Sequence, residues 1–426
     1  MEKKIKGDVI VIGGGPAGII ASVASSRLGA KTILIERYGF LGGNMTNAGV
    51  INIRTFNDGK GNLVIKGIPY EFVNEIKKYQ KIFTPGAENL EKDDCFRQYP
   101  EITKYVSQEF VLSANVKLIL HGFVNDVIKE KNKIKSVVIF YKGQKIYCEG
   151  DVFIDCTGDG DVAYLSGVDF IKGWGNKNKL QPLTTTFIIG GVSKKHWPKV
   201  KISKEEMEKM KKEFEEGNYP CPTYPPGALF AMPRKGEIYG NVTRYPADIT
   251  DIFEMTKAEI ELRRQVWKVI EFYRKYIKGF EKIYLQQTFT QAGGRESRRI
   301  IGEYILKEED ILECKNFPDN IAKGSYPIDI LVPDGSGDIW KELKNSSYGI
   351  PYRCLVPKKI DNLLVAGRCI SCDYKALGAI RVMAICMATG QAAGVSAYLS
   401  SKKKIPPREL EIKEIQEILK KQEAII

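Results

Sequence analysis

The sequence predicts an α/β protein with a parallel sheet, a β-meander and an inserted α+β unit. Residues 9–12 are a continuous β-branched run, as in a parallel strand that is covered on both faces. A glycine-rich turn follows at once, and then a small-residue helix from about Pro16 to Leu28. A second strand with a glycine turn, residues 362–368, lies far along the chain. Strands that alternate with helices in this way are typical of parallel sheets.

The first turn carries the pattern Gly13-x-Gly15-x-x-Gly18 between strand and helix. Its glycines have separate physical tasks in a dinucleotide-binding unit: Gly13 permits the tight turn, Gly15 lets the backbone approach a pyrophosphate, and Gly18 brings helix and strand together. The helix begins at Pro16 and Ala17, where free N–H groups attract phosphate. The segment therefore predicts a dinucleotide site.

The second strand, residues 32–35, ends at Glu36, which is placed to accept the hydroxyl groups of a ribose. Arg37 follows, and then the paired glycines Gly42 and Gly43. Glycines so close to the ribose acid suit a backbone that lies against a flat ring system, which favours FAD over NAD. We expect the next two residues, Asn44 and Met45, to lie near the flavin.

The strand at 362–365 leads into Gly367 and Arg368, and the chain continues through 376–383 into a small-residue helix at 386–394. With the first unit, these segments resemble the glutathione reductase and fumarate reductase superfamily of flavoproteins, and within it the broad family of FAD-dependent oxidoreductases. Segments 151–161, 294–299, 324–329 and 350–353 match as well. The resemblance covers nearly the whole chain and is weakest from about 173 to 285.

The resemblance implies a Rossmann-like FAD-binding domain and further cofactor contacts. Val124 would contact the adenine region, and residues 157–159 would lie beside the nucleotide. The amino end of a C-terminal helix would point at the pyrimidine edge of the flavin, where its dipole stabilises the anionic reduced form. The further cofactor-binding residues that the resemblance implies are Thr157, Gly158, Asp159, Gly378, Ile380, Arg381 and Val382.

The chain divides, in this interpretation, into 1–172 (first part of the FAD domain), 173–290 (an α+β substrate or cap domain) and 291–426 (a return to the FAD domain that ends in a surface helix). The predicted elements are helices at 70–80, 101–114, 203–216, 250–276 and 407–423, a strand at 116–120, a meander at 124–128, 135–141 and 144–148, and strands at 152–155 and 184–189.

Composition narrows the class of protein. The chain has 426 residues and a net charge of +13, but its short basic runs do not form a nucleic-acid motif, so we expect no nucleic-acid partner. No apolar run approaches the length of a membrane span. The first 25 residues mimic a signal peptide, yet their removal would delete the first strand and glycine turn. Nine scattered cysteines indicate reduced thiols and a cytoplasmic location.

The candidate catalytic residues are arginines and tyrosines. Histidine is scarce: His121 is expected to be structural, and His196 to lie in an exposed loop. With no triad or metal-ligand cluster in the sequence, a flavin would supply the chemistry. Arginine forks suit bidentate recognition of carboxylates, although inter-element salt bridges are an equally good reading of the cluster at 295–299. The residues singled out for catalysis are Arg295, Arg298, Tyr326 and Tyr352.

FAD is expected to be bound non-covalently, because no histidine follows Gly42 and Gly43. No Cys-x4-Cys pattern follows the pair either, and there is no second GxGxxG, so electrons would enter or leave through the substrate or an external partner. Cys369 and Cys372 form a CxxC pair that is either redox-active or structural.

The favoured hypothesis is therefore hydride transfer between flavin N5 and a small organic substrate, for which the arginine cluster suggests an anion. One alternative is an electron-transfer subunit that passes electrons to an iron–sulfur partner. A weaker alternative is a flavoprotein that modifies transfer RNA. The sequence does not indicate the oligomeric state.

Overall fold

The computed structural model describes residues 3–84, 95–175, 179–333 and 337–426. Its strands are β1 (Lys3–Lys6), β2 (Val9–Ile12), β3 (Thr32–Ile35), β4 (Asn52–Arg54), β5 (Cys95–Arg97), β6 (Lys117–Ile119), β7 (Phe123–Glu130), β8 (Lys133–Tyr141), β9 (Gln144–Glu149), β10 (Val152–Asp155), β11 (Phe170–Ile171), β12 (Phe187–Gly190), β13 (Ala228–Ala231), β14 (Ile238–Asn241), β15 (Tyr284–Thr288), β16 (Arg299–Ile300), β17 (Asn320–Gly324), β18 (Ile328–Leu331), β19 (Asp338–Lys341), β20 (Tyr348–Pro351) and β21 (Leu363–Val365).

The helices follow the same chain order. They are α1 (Pro16–Arg27), α2 (Ile68–Phe83), α3 (Pro100–Ser113), α4 (Asp161–Leu165), α5 (Lys204–Glu215), α6 (Ile252–Tyr276), α7 (Glu308–Leu312), α8 (Tyr374–Ile380), α9 (Met383–Lys403) and α10 (Ile412–Lys421).

A five-stranded parallel sheet with the order β21-β10-β2-β3-β6 forms the centre of the fold. Strands β2, β3 and β10 are buried along their whole length, as their β-branched composition predicts. The sheet joins the two chain segments that the sequence singled out, because β21 pairs with β10 and β10 pairs with β2. The predicted α/β fold with a parallel sheet is confirmed.

A second sheet with the order β1-β9-β8-β7 contains the predicted meander. Strand β1 was not predicted, and it pairs in parallel with β9 at the sheet edge. Its lysines leave this strand mostly exposed. A short charged strand of this kind carries little hydrophobic pattern and protects a sheet edge from further pairing.

Helices α1 and α9 pack against each other through backbone contacts at small residues. A side chain at Gly390 would place its Cβ 2.2 Å from the carbonyl oxygen of Ala17, and one at Gly394 would lie 2.3 Å from that of Ala21. Because these glycines lack a Cβ, α9 approaches α1 and the first glycine turn closely. The two cofactor segments are thereby brought together.

The segment predicted as an inserted unit contains a four-stranded antiparallel sheet, β13-β14-β12-β15. This sheet packs with α5 and α6 around a separate hydrophobic cluster that includes Phe187, Val266 and Tyr273. The predicted strand 184–189 starts later, at Phe187, because Thr184 forms an isolated bridge with Gly293. The domain boundaries themselves stay a prediction.

The C-terminal segment differs from the single helix predicted at 407–423. A 3₁₀ turn, Pro407–Glu409, comes first, and α10 begins after an extended Leu410 and Glu411. In the described part of the chain, no single helix is long and apolar enough to cross a membrane. Helices α8 and α9, bent by 94° at their junction, reach that length and hydropathy only together.

Candidate functional site

The first cavity lies at the carboxyl ends of four parallel strands, which is where such sheets bind their ligands. Gly13 follows β2, Glu36 follows β3, Cys156 follows β10 and Ala366 follows β21, and all four line the cavity. The predicted cofactor residues that line it are Gly13, Gly15, Pro16, Ala17, Glu36, Arg37, Gly43, Asn44, Val124, Thr157, Gly158, Asp159, Gly367, Arg368 and Arg381.

The glycine turn of this cavity needs glycine at two positions for different reasons. Gly13 has φ +97°, and a Cβ there would lie 2.4 Å from the carbonyl oxygen of Cys156. Gly18 is helical, but its Cβ would lie 1.8 Å from the carbonyl oxygen of Gly13. Gly18 does not line the cavity; it sets the distance between α1 and the turn.

Glu36 is held by two backbone N–H groups. Its Oε2 accepts from the N–H of Gly14 at 2.6 Å, and its Oε1 accepts from that of Tyr38 at 2.9 Å. Burial raises the pKa of Glu36, and these N–H groups partly offset the increase. The carboxyl group therefore has one orientation at the cavity wall. Its role in ribose binding stays a prediction.

The paired glycines fold against the first turn. The N–H of Gly42 donates to the carbonyl oxygen of Gly14 at 2.8 Å, and a Cβ at Gly43 would lie 2.7 Å from Cα of Gly15. Asn44 then faces the cavity. Gly42 and Met45 do not line it. Met45 is fully buried, and its carbonyl oxygen accepts from Nε2 of Gln98.

The C-terminal turn supplies a charged pair to the same cavity. Arg368 donates from Nη2 to Oδ1 of Asp159 at 2.6 Å, which joins the turn after β21 to the turn after β10. The Nη1 of Arg368 is buried and has no hydrogen-bond partner among the described residues. Such a donor beside a dinucleotide cleft is placed to bind a ligand oxygen.

The helix that was expected to point at the cofactor begins later than predicted. Gly378 and Ile380 belong to the end of α8, and neither lines a cavity. Gly378 packs against β18, where a Cβ would meet the carbonyl oxygen of Asp329 at 3.1 Å. The chain bends between α8 and α9, so these two residues do not lie at the helix end that faces the cavities, and their role in cofactor binding stays a prediction. The helix N-terminus that faces the cavities is that of α9, with N-cap Val382.

A second cavity of about 300 Å³ adjoins the first. The two share Asn44, Arg368, Arg381 and Met383 in their walls. Five arginines and two aspartates line the second cavity, so its field favours anions. These charged residues are Arg54, Arg244, Arg295, Arg368, Arg381, Asp329 and Asp338.

The structure separates the two arginines that were predicted to be catalytic. Arg295 lines the second cavity. Arg298 lines neither cavity: its Nη1 pairs with Oδ1 of Asp161 at 2.9 Å, and its guanidinium lies 4.3 Å from the ring of Tyr164. Arg298 therefore links the segment before β16 to the amino end of α4, which agrees with the salt-bridge interpretation, and its catalytic role stays a prediction.

The two tyrosines also have different positions. Tyr326 lines the second cavity, and its hydroxyl donates to Oδ2 of Asp329 at 2.9 Å. Burial raises the pKa of Tyr326, and the neighbouring Asp329 raises it further. Tyr352 is 2% exposed and lines neither cavity, and its hydroxyl donates to the carbonyl oxygen of Pro407. A 3₁₀ turn directs the ring of Tyr352 into the core, so its position gives no support to the catalytic role that the sequence predicts.

The CxxC pair and the two histidines line neither cavity. Cys369 and Cys372 are buried, and burial raises the pKa of both thiols, whereas redox-active cysteines have accessible thiols with a low pKa. His196 was expected in an exposed loop but is buried, because Nε2 and Nδ1 bond the backbone of Lys278 and Lys201. His121 is exposed between β6 and β7.

Sequence reasoning missed Arg54 and Arg244. Both follow short stretches without recognisable motifs, and only the fold brings them to the second cavity. One signal was present for Arg244: it is the one charged residue between Tyr239 and Ala247. A lone charge in such a stretch needs a buried partner or a ligand.

Replacement of Glu296 by glutamine is expected to flatten the pH dependence of stability. Burial raises the pKa of Glu296 to about 7. The backbone N–H of Gln181 and the charge of Arg299 offset only part of this increase. The folded protein therefore keeps a proton that the unfolded chain releases, so Glu296 contributes stability below about pH 4.5 that is lost as pH rises toward 7. The change is on the order of 3 kcal/mol. Urea unfolding from pH 5 to 8 measures it. An equal pH slope in E296Q and in the exposed control Glu409→Gln would contradict the assignment.

The first cavity fits FAD by its own geometry. The glycine turn and the paired glycines leave a backbone surface without side chains, Glu36 is fixed at the end of β3, and Arg368 offers an unpartnered donor.

Among the residues that the structure describes, no group of three or more metal-ligating side chains occurs.

Comparisons with solved structures support the α/β fold with its parallel sheet. A geranylgeranyl bacteriochlorophyll reductase-like protein from Thermoplasma acidophilum aligns with a TM-score of 0.50 and 13% identity, over 98% of this chain and 83% of that one. A flavin-dependent brominase, solved as a triple mutant, aligns equally well, with 13% identity over 98% and 84% of the two chains. At this identity the likeness concerns the fold.

Curated relatives match only locally. Dihydrolipoyl dehydrogenase from Vibrio parahaemolyticus is 49% identical over 51 residues, 12% of this chain and 11% of that protein. Leghemoglobin reductase from Vigna unguiculata is 54% identical over 44 residues, 10% of this chain and 8% of that protein. The matches thus span about a tenth of these relatives. The family model described as FAD dependent oxidoreductase, by contrast, matches residues 8–419. With its strand-end cavity and glycine turns, the chain therefore belongs to the FAD-dependent oxidoreductase family.

Proposed function

We propose that this flavoenzyme transfers hydride between FAD, bound non-covalently in the first cavity, and a small organic anion in the second. The observation that carries the proposal is the common wall of the two cavities, formed by Asn44, Arg368, Arg381 and Met383. A substrate in the second cavity would therefore lie against the part of the first cavity that forms this common wall. The arginines of the second cavity favour an anion.

Bound FAD would supply the hydride chemistry, and the chain would supply binding, orientation and electrostatics. The glycine turn and the amino end of α1 would hold the phosphates, and Glu36 the ribose. Arg381 lines both cavities and donates from Nη2 to the carbonyl oxygen of Asp329 at 2.9 Å. The amino end of α9, at Val382 and Met383, adds a positive dipole at the common wall.

Non-covalent attachment agrees with the groups around the first cavity. Two thiols line the first cavity, those of Cys156 and Cys386, and burial raises the pKa of both, that of Cys386 to about 12. A thiol in this state is a poor nucleophile. The electrons must also enter or leave in a second half-reaction, for which we propose an external electron donor or acceptor.

The experiment that tests the function uses the purified protein with its flavin. Acid or heat should release FAD into solution, and an anaerobic panel of small organic anions should contain one that bleaches the flavin absorption. The dithionite-reduced protein is tested against the oxidised partners of the same panel. A protein that cannot be loaded with FAD, or whose flavin reacts with no member of the panel in either direction, would contradict the proposal.

Replacement of Tyr326 by phenylalanine is expected to slow the hydride step by roughly 10²- to 10⁴-fold, the usual contribution of a general acid or base. The hydroxyl faces the second cavity and passes its proton to Asp329 as it takes one from the substrate, or the reverse. Anaerobic stopped-flow kinetics across pH measures the step.

The matched control for this prediction is Tyr304→Phe. The hydroxyl of Tyr304 makes the same kind of bond, to Oδ2 of Asp310 at 2.7 Å, but Tyr304 lines neither cavity. Equal rates of flavin reduction in Y326F and Y304F would show that the Tyr326–Asp329 pair moves no proton.

A further inference from the structure

Two arginines of the second cavity meet at one hydroxyl group. Arg244 and Arg295 each donate from Nη1 to Oγ1 of Thr184, at 2.9 and 2.8 Å. Arg244 follows β14 in the inserted sheet, whereas Arg295 comes from the return segment. The two like charges therefore lie side by side although 50 residues of chain separate them.

The hydrogen-bond acceptors that the described residues give this pair are uncharged. The other acceptors of Arg244 Nη1 are Oδ1 of Asn241 and the carbonyl oxygen of Thr243, and the other acceptor of Arg295 Nη1 is the carbonyl oxygen of Pro182. All of these are uncharged. Neither guanidinium forms an ion pair with a carboxylate in the described part of the chain.

Arg244 also has an unused donor. The residue is 8% exposed and lines the cavity, yet its Nε has no hydrogen-bond partner among the described residues. A buried donor that is left unpaired costs roughly 1–3 kcal/mol. The described residues therefore supply no acceptor for one donor of this guanidinium.

The electrostatics of the pair agree with a missing anion. Burial lowers the pKa of Arg295 well below its usual value, and the charges of Arg244 and Arg381 lower it further. Burial likewise lowers the pKa of Arg244. The negative charge of Asp338 opposes this decrease. Arginine stays protonated even so, and a bound anion would offset the repulsion.

We propose that Arg244 and Arg295, aligned by Thr184, form a clamp for a carboxylate group of the substrate. A guanidinium fork matches a carboxylate in plane and spacing. This inference rests on the proposed function, since it assumes that the second cavity holds the substrate.

The test measures anion binding by the FAD-loaded protein. Isothermal titration calorimetry and the shift of flavin absorption follow the binding of acetate, lactate, propionate and benzoate, with lactamide, benzamide and inorganic phosphate for comparison. A monocarboxylate should bind more tightly than its amide and than phosphate. Arg244→Gln should weaken that binding roughly tenfold to hundredfold, as expected for loss of a charged hydrogen bond. Arg244→Lys, which keeps the charge without the fork, should lie between.

Controls separate the clamp from general charge and from misfolding. Arg263 is exposed on α6 and pairs with Glu259 at 3.6 Å, so Arg263→Gln should bind carboxylates like the unchanged protein. Thr184→Val should weaken binding in the same direction as R244Q, and thermal unfolding reports whether each variant is folded. Unchanged carboxylate affinity in folded R244Q or R244K, or tighter binding of phosphate or of the amides, would overturn the clamp.

The outcomes also distinguish the clamp from the proposed function. If neutral compounds alone reduce the flavin and no carboxylate binds, the clamp is wrong and the flavoenzyme activity stands. If carboxylates bind with the expected dependence on Arg244 while the flavin reacts with nothing, the proposed function is wrong and the anion site stands.

Discussion

Replacement of Gly18 by alanine should abolish FAD binding and lower the free energy of unfolding by about 3 kcal/mol or more, the upper end of overpacking effects. A Cβ at this position would lie 1.8 Å from the carbonyl oxygen of Gly13, a backbone atom that no rotamer change can move. Alanine is a better helix former than glycine by about 1 kcal/mol, so the collision outweighs the gain. Either α1 or the turn must shift, and both line the cofactor cavity.

The flavin content of the purified variant and its urea unfolding curve measure these two effects. Gly337→Ala is the control, since Gly337 has no heavy atom within 4 Å of the added Cβ and no unusual φ. This control should keep its flavin and its stability. A G18A protein that retains stoichiometric FAD would show that the close contact between turn and helix is not needed for the site.

Replacement of Gly394 by leucine should separate the two halves of the cofactor site. The new Cβ would lie 2.3 Å from the carbonyl oxygen of Ala21 and 2.9 Å from Cβ of Ala24, both on α1. We expect a loss of about 3 kcal/mol or more of unfolding free energy, because two helix backbones in contact leave no space for a branched side chain. Displacement of α9 also moves its amino end, at Val382, away from the common wall of the cavities.

Thermal unfolding and the affinity for added FAD measure this second prediction. Lys402→Leu introduces the same side chain at an exposed position of α9 and should change neither quantity much. If G394L binds FAD as tightly as K402L, the contact between α1 and α9 does not position the flavin.

The first cavity could be predicted well from the sequence because it is mostly backbone. Gly13 and Gly43 matter because they lack side chains that would collide with neighbouring backbone, and Glu36 is fixed by its place at the end of a strand. These features depend on residue type and spacing over some forty residues. The carboxyl edge of a parallel sheet then brings them together with the turn at Gly367.

The sequence did not predict which polar side chains of the candidate catalytic loops face a cavity, and the tertiary structure decided this. Arg295 and Arg298 stand three residues apart in one charged cluster, yet Arg295 lines the second cavity and Arg298 pairs with Asp161. Tyr326 and Tyr352 both precede the last flavin segment, yet only the first faces a cavity. Local pattern does not distinguish such pairs, because the direction of a loop side chain depends on what packs against it.

The sequence by itself determined the α/β class, the family and the dinucleotide turn, since strand burial, glycine spacing and helix starts are local properties. Only the tertiary structure decided which arginines share the second cavity. Arg54, Arg244, Arg295 and Arg381 come from four separate segments, and each segment alone is unremarkable. Their common location follows from the packing of the inserted sheet against the FAD domain, so the charge that would select the substrate arises from distant contacts.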